Sequence, residues 1–333
     1  MKNFNSRLPR KLSGPSSREA GFTLIEMMVS ITIGLAIIAG LLTVMASGAS
    51  NSKTNERTSE LLTNGRYALN SIKQEFRQSG YRAYTWPKTD AMSTAMGALT
   101  NECLQTGAAA ASFVSNIRQG VWGANNSNPF SANCIPAANY ASDAGGVGED
   151  VLVVRRLDDL PLADADLVAN RVYFRSSYAK GEIFRGTVVP TFDVALKPVA
   201  NFKLQTYVYY ISPYTTAANE NPKVPALYRV ALSLNGMEKE LVASGIEHFQ
   251  VQYGQLSTVP DTRYFDSLPG TSSDNTPTDW DSVDSVRIWL LARNATPEPG
   301  YANTSSYVMG DKTFAVNDGY RRQLFTTVVQ LRN

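Results

Sequence analysis

Residues 27–46 carry no charged side chain. As a helix rising about 1.5 Å per residue, that run spans roughly 30 Å, the hydrocarbon thickness of a bilayer. The uncharged stretch continues to Lys53. Ahead of it, residues 1–21 hold Lys2, Arg7, Arg10, Lys11 and Arg18 against Glu19 alone. Positive charge beside a membrane segment keeps that end in the cytoplasm, so the bulk of the chain belongs on the far side. One acid, Glu26, sits at the head of the apolar run. A carboxylate at membrane depth costs about 2.5–3.5 kcal/mol on insertion scales, so it requires a partner or a purpose.

The residues alone leave two simpler readings open. A basic region, an apolar region and the small residues Ala46-Ser47-Gly48-Ala49 are the parts of a secretory signal. Its apolar region would exceed the usual span of about 7–15 residues and would contain a Glu. A plain membrane anchor with an interfacial Glu is the other.

Charge decides which partners to expect. The chain has 31 Lys+Arg and 29 Asp+Glu, a formal net charge of +2. The leader supplies five of those bases and one acid, so the remainder holds 26 and 28, a net −2. No run of Lys or Arg marks a nucleic-acid face. The two cysteines, Cys103 and Cys134, both fall on the far side of the membrane. An even count in an oxidising compartment favours one disulfide. Closing a loop of that length contributes roughly 3–4 kcal/mol in the chain-entropy model. Two free buried thiols are the alternative.

Residues 47–55 are small and polar but lack Pro, so a helix can continue out of the membrane. Beyond them Leu62, Leu69, Ile72 and Phe76 form one amphipathic stripe, opposite Arg57, Glu60, Arg66, Lys73 and Arg77. Gly80 is a plausible stop. One helix is therefore predicted over 22–79. Ala36 and Gly40 form a small-xxx-small pair, suited either to close helix approach or to facing lipid. Residues 81–149, rich in Ala, Ser, Asn and Gly, read as a loop-rich insertion and a variable surface.

From Val151 onward, β-branched and aromatic runs predict strands at 151–156, 171–176, 182–189, 203–211, 226–234, 246–253, 283–291 and 324–331. Lys180-Gly181 and Asn235-Gly236 are turn signals. With no helices between strands, the sheet should be mainly antiparallel. The gaps 254–282 and 293–320 read as surface loops. The expected fold class is α+β: leader 1–21, helix 22–80, loop-rich segment 81–150 and β head 151–333.

The stretch Gly21-Phe22-Thr23-Leu24-Ile25-Glu26-Met27-Met28-Val29-Ser30, with its basic leader, resembles the type IV pilin family and its prepilin motif. The resemblance implies cleavage between Gly21 and Phe22 by a prepilin peptidase, then N-methylation of Phe22. It also implies that Glu26 pairs with the amino terminus of a neighbouring subunit during assembly, which would offset its burial cost. Phe22 and Glu26 are i and i+4, on one helix face.

A second set of residues lies in the head. It comprises Leu227-Tyr228-Arg229, Glu240-Leu241-Val242, Gly245-Ile246-Glu247, Val251-Gln252-Tyr253-Gly254, the segment from Ser285 to Arg293, and the terminal segment from Arg321 to Asn333. This set resembles the minor pilin PilW family. The similarity covers the helix and the last hundred or so residues, not 81–149. It implies an inner-membrane protein with its head in the periplasm, contacting membrane lipid before assembly and standing in the pilus fibre afterwards. Its implied partners are other minor pilins, the major pilin and the inner-membrane assembly platform. Its implied role is initiating pilus assembly at the tip, in support of twitching motility. A type II secretion pseudopilin shares the layout, and a tip adhesin or DNA-uptake receptor is a reading of another class.

Enzyme chemistry finds little footing. His248, the only histidine, shares a strand face with Gln250 and Gln252 and is expected to face solvent. One His and two separated Cys make a poor zinc set. Gly145-Gly146-Val147-Gly148 precedes a strand, where a phosphate loop would follow one. Asp158, Asp159, Asp164 and Asp166, and then Asp274, Asp279, Asp281 and Asp284, are oxygen-rich groups of a kind calcium uses, without EF-hand spacing. Solvated turns are the expectation. Tyr301 and Tyr307 are loop aromatics suited to packing or to a partner. No cofactor, no metal and no catalytic site are expected.

Overall fold

The computed structural model describes residues 21–86, 96–142, 146–193, 197–256, 262–271 and 279–331. The leader up to residue 20, Asp274 and the last two residues lie outside them. The chain divides between Asn55 and Glu56 into two compact units.

A single helix, α1, runs Leu24–Arg77. It contains no Pro, has Glu26 in its first turn and Arg77 in its last, and so suits the helix dipole at both ends. It stops where 3₁₀-type bonds tighten the last turn, Gln78 N–H to Glu75 O at 3.3 Å and Ser79 N–H to Phe76 O at 2.9 Å. Gly80 follows in the left-handed region, φ 76°.

The buried face within the second unit is Leu61, Gly65, Ala68, Ile72 and Phe76. Ile72 and Phe76 of the predicted stripe belong to it, whereas Leu62 and Leu69 are only partly buried and Leu61 and Ala68, one residue earlier, take the inner positions. Close approach explains the shift. A Cβ on Gly65 would stand 2.2 Å from the Phe325 ring, so the smallest residue faces the sheet and the leucines flank the contact.

Among the described residues the head holds thirteen strands in three sheets. A seven-stranded sheet contains β1 (Val121–Ala124), β2 (Val151–Leu157), β3 (Val172–Ser176), β4 (Gly181–Arg185), β5 (Ala200–Ser212), β6 (Ala226–Leu232) and β7 (Met237–Ser244). Its hub is β5, which pairs with β2, β3 and β6. A four-stranded sheet has the order β13-β10-β8-β9, from β8 (Ile246–Leu256), β9 (Thr262–Phe265), β10 (Val283–Arg293) and β13 (Arg322–Gln330). A separate hairpin joins β11 (Ser306–Met309) to β12 (Lys312–Ala315). Every ladder between named strands is antiparallel, as the short connections require. Both turn signals lie in hairpin loops: Ser177 N–H bonds Lys180 O at 2.9 Å, and Ser233 N–H bonds Gly236 O at 2.7 Å.

Two sequence expectations change. The 81–149 segment is rich in loops, but it is not only a surface. Phe113, Val114, Ile117, Val121, Trp122, Phe130, Ile135 and Tyr140 are buried in the main core, and β1 extends the sheet along β2. Their irregular spacing among small polar residues hides them from a periodicity search. The 293–320 gap holds β11 and β12, and the 254–282 gap holds β9.

Candidate functional site

The start of α1 is built by four consecutive residues. Thr23 Oγ1 accepts the Glu26 N–H at 3.3 Å. Glu26 Oε2 accepts the Thr23 N–H at 3.1 Å and the Thr23 hydroxyl at 3.0 Å. This reciprocal arrangement is a capping box, which satisfies amide groups that a helix start leaves without partners. The Thr-x-x-Glu spacing in the sequence was the available signal for it. Phe22 precedes the helix, so it does not share a helical face with Glu26 in the uncleaved chain. Thr23 occupies the cap, and Phe22 stands one residue outside it. Glu26 Oε1 takes none of these bonds.

Beyond the cap, the large apolar residues of the first unit are exposed: Ile25, Met28, Ile31, Leu35, Ile38, Leu42 and Met45 are each at least 54 % accessible. Hydroxyls in this stretch bond back to their own helix, Thr32 to Val29 O at 2.9 Å and Thr43 to Gly40 O at 2.7 Å. Such bonds satisfy polar groups that an apolar medium would leave stranded. Nothing lies within 4 Å of the missing Cβ at Gly34, Gly40 or Gly48. The helix thus presents apolar surface and bare backbone with one carboxylate at its head.

In the head, ionisable groups are tied into structure. Cys103 and Cys134 form the expected disulfide. Glu102 nearby accepts the Ala111 N–H at 2.7 Å and the Val114 N–H at 3.3 Å. Burial raises its pKa, with those bonds and Arg155 opposing. The Arg155 side chain is fully buried, donates to Phe113 O at 2.9 Å and Gln119 O at 3.0 Å, and lies 4.4 Å over the Phe113 ring. Burial pushes its pKa down to about 9, opposed by Glu102.

His248 does not face open solvent as expected. It stacks on Phe314 of β12 at 3.7 Å, and its Nδ1 lies 2.8 Å from Glu149. Gln250, on the same face, is buried, and Gly310 at the tip of the β11–β12 hairpin lies near it. The hairpin covers a strand face whose polar residues read as exposed. Beside it Asp150 accepts the N–H groups of Asn126 at 2.9 Å and Val251 at 2.7 Å. Burial pushes its pKa up to about 8 against those two bonds.

The acidic groups serve as local ties. Asp164 accepts from Arg175 at 2.8 Å and Asn201 at 2.6 Å. Asp158 caps the Asp159 N–H at 3.0 Å. Asp281 lies 3.8 Å from Arg118, and Asp284 accepts the Ser285 hydroxyl at 2.8 Å. Among the described residues, no group of three or more His, Cys, Asp or Glu side chains is arranged to hold a metal. Tyr301 lies under Arg321 at 4.3 Å, and the Tyr307 hydroxyl accepts from Asn303 at 3.2 Å.

Two family models match the chain. Residues 16–42 match the prokaryotic N-terminal methylation motif, and residues 208–333 match the type IV pilus-assembly protein W family, PilW. A solved structure, a type IV-like pilin from Thermus thermophilus, is similar at 13% identity and a TM-score of 0.35, covering 83% of this chain and 95% of its own. No curated protein matches. With the long apolar helix and the antiparallel head, the family matches support a protein of the type IV pilin class. Over residues 208–333 the chain is similar to the PilW family.

Proposed function

We propose that the chain is a prepilin cleaved between Gly21 and Phe22 and methylated on the new Phe22 amine. The mature protein then acts as a minor pilin that starts pilus assembly from the fibre tip. Pilin-family domains are structural proteins, and the role is assembly without catalysis. Before assembly, α1 anchors the chain in inner-membrane lipid with the head in the periplasm. During assembly it joins other minor pilins and the major pilin at the assembly platform.

The observation that carries this reading is the single carboxylate at the head of an exposed apolar helix. Glu26 uses Oε2 for its own cap, and Oε1 takes no part in it. Cleavage after Gly21 leaves the Thr23 N–H in place, so the capping box survives processing. A neighbouring subunit's ammonium group is the partner that the second oxygen fits.

N-terminal analysis of the chain from membranes and from sheared pili tests the proposal. The expected start is methylated Phe22 in both fractions. A start near Ser47 or Ser50 means a secretory signal and overturns it. So does a deletion that stops protein secretion while twitching stays normal.

A further inference from the structure

The chain's only histidine borders a cavity of about 290 Å³. The cavity lies where β8, β10 and β12 meet the loops ahead of β2 and β6. Phe314, Pro213 and Pro225 give it an apolar wall. Its charged rim is Lys223, Arg293 and Lys312 with Glu149 and Glu247, and His248 stands among them.

Both carboxylates on the rim are committed elsewhere. Glu149 is buried, and its Oε2 accepts the Phe249 N–H at 2.9 Å while Oε1 lies 2.8 Å from His248 Nδ1. Glu247 is held by Arg293 at 3.2 Å and by Arg322 at 2.6 Å. Asp150, next along from Glu149, turns to the Asn126 and Val251 amides. Two of the cations lack such a match. Lys312 Nζ donates to Gly148 O, which is neutral. Arg293 donates to Lys223 O at 2.9 Å, which fixes that loop and leaves the Lys223 ammonium uncompensated. Among the described residues neither lysine has a carboxylate partner. A concave site with surplus charge of one sign gathers ions of the other.

His248 completes the set. An ionised carboxylate only accepts, so the Glu149 contact puts a proton on Nδ1 and leaves Nε2 for the cavity. The stack on Phe314, 3.7 Å between ring centres, fixes the plane of the imidazole. An imidazole ordinarily changes charge between about pH 5 and 8. Neutral, its Nε2 sets a lone pair against an incoming oxygen. Protonated, it donates to that oxygen.

We propose that this cavity binds an oxyanion, the carboxylate or phosphate of a small molecule, between Lys223, Lys312 and His248 Nε2, and holds it more tightly as pH falls. The volume is at the small end of ligand pockets, which selects a small molecule. The site is built within the head and stands whether or not the chain enters a fibre.

The full chain, made without a histidine tag, labelled with 15N-histidine and held in detergent micelles, tests this by magnetic resonance and calorimetry. One histidine gives one pair of ring signals. Sulfate is the probe, because it keeps both its charges over the range and any pH dependence then belongs to the protein. Sulfate should raise the midpoint of the ring titration by about one pH unit, and its affinity should rise about tenfold from about pH 8 to about pH 5.5, two readings of one linkage. Lys223 is exposed, so Lys223→Ala should leave the unfolding midpoint in place and weaken sulfate about tenfold, as loss of a charge-assisted contact does. His248→Gln should leave weak binding that no longer varies with pH. A ring midpoint that is the same with and without sulfate overturns the proposal, as does full affinity in Lys223→Ala. At about pH 6, tighter binding of methyl phosphate than of acetate assigns the site to phosphate esters, and the reverse order assigns it to carboxylates. Binding of neither also overturns it.

Discussion

In the first unit of this molecule the large apolar side chains lie outside, and in the second they lie inside. Between Leu24 and Met45 the single helix exposes Leu, Ile, Met and Val on every side. In the head, Phe113, Trp122, Phe130, Tyr209, Phe249 and Leu290 are closed in one core. The same hydrophobic effect acts on both, with different solvents on offer. The helix finds its apolar surroundings in lipid or in other helices, and the head supplies its own. Stability should therefore be a property of the head, and association a property of the helix.

Substitutions in the two regions can break that division. Arg155→Met removes a buried cation beside Glu102 and leaves Phe113 O and Gln119 O without their donor. It should lower the unfolding free energy by about 3–5 kcal/mol, the usual effect of stripping a buried charge of its partner. Buried Trp122 and Trp280 lie 5.9 Å apart and give a fluorescence readout in urea. Ile37→Ala in the helix should change the same midpoint by less than about 0.5 kcal/mol. Equal effects would mean that the head leans on the helix. Next in size is the disulfide, which closes a separation of 31 residues. Replacing Cys103 and Cys134 together by Ser should cost about 3–4 kcal/mol in the chain-entropy model, read as a fall in the urea midpoint.

The two regions also differed in how far they could be read from the sequence. The helix was legible because its signals are local: an uncharged run, a leader of bases, one acid. Most strands were legible because Val, Ile, Tyr and Phe cluster in them. What was missed depends on contacts between distant segments. His248 and Gln250 alternate as an exposed face should, and only the β11–β12 hairpin, some sixty residues on, makes that face interior. Trp122 and Phe130 stand among Gly, Asn and Ser, a composition that carries no period. Gly65, which carries no apolar side chain to mark it, is the closest contact of the buried face, because the ring packed against it belongs to Phe325. The Thr23–Glu26 box was written in the chain and overlooked in favour of the acid's role toward a partner.

A smaller effect separates the regions by pH. Asp150 is pushed up to about 8 in the folded head, from an ordinary value of 3.8, chiefly by burial. A carboxyl with a raised folded pKa stabilises the protein fully below its unfolded value, and that contribution is lost as pH rises through the folded one. Between about pH 4 and 8 the unfolded chain releases a proton that the folded head retains. Asp150 should then lower stability by up to about 1.4 kcal/mol per pH unit across that window. Asp150→Asn should flatten this slope, measured as urea midpoints at several pH values. An unchanged slope would show that Asp150 is ionised in the fold and held by the Asn126 and Val251 amides.

The finest division runs within Glu26 itself, between capping its own helix and meeting a partner. Thr23→Ala removes the cap hydroxyl and should cost about 1 kcal/mol at the helix start. Amide exchange over residues 24–28 would show it as faster opening, with no change in the head. Glu26→Gln keeps a group able to accept the Thr23 N–H, because Gln serves in a capping box as Glu does. It removes only the charge. Exchange at the helix start should therefore stay near that of the wild type, while recovery of the chain in sheared pili falls. Glu26→Ala should lose both. If Gln restores recovery as well as capping, the carboxylate acts only within its own chain. If Gln caps but is not recovered, the charge is what the neighbouring subunit reads.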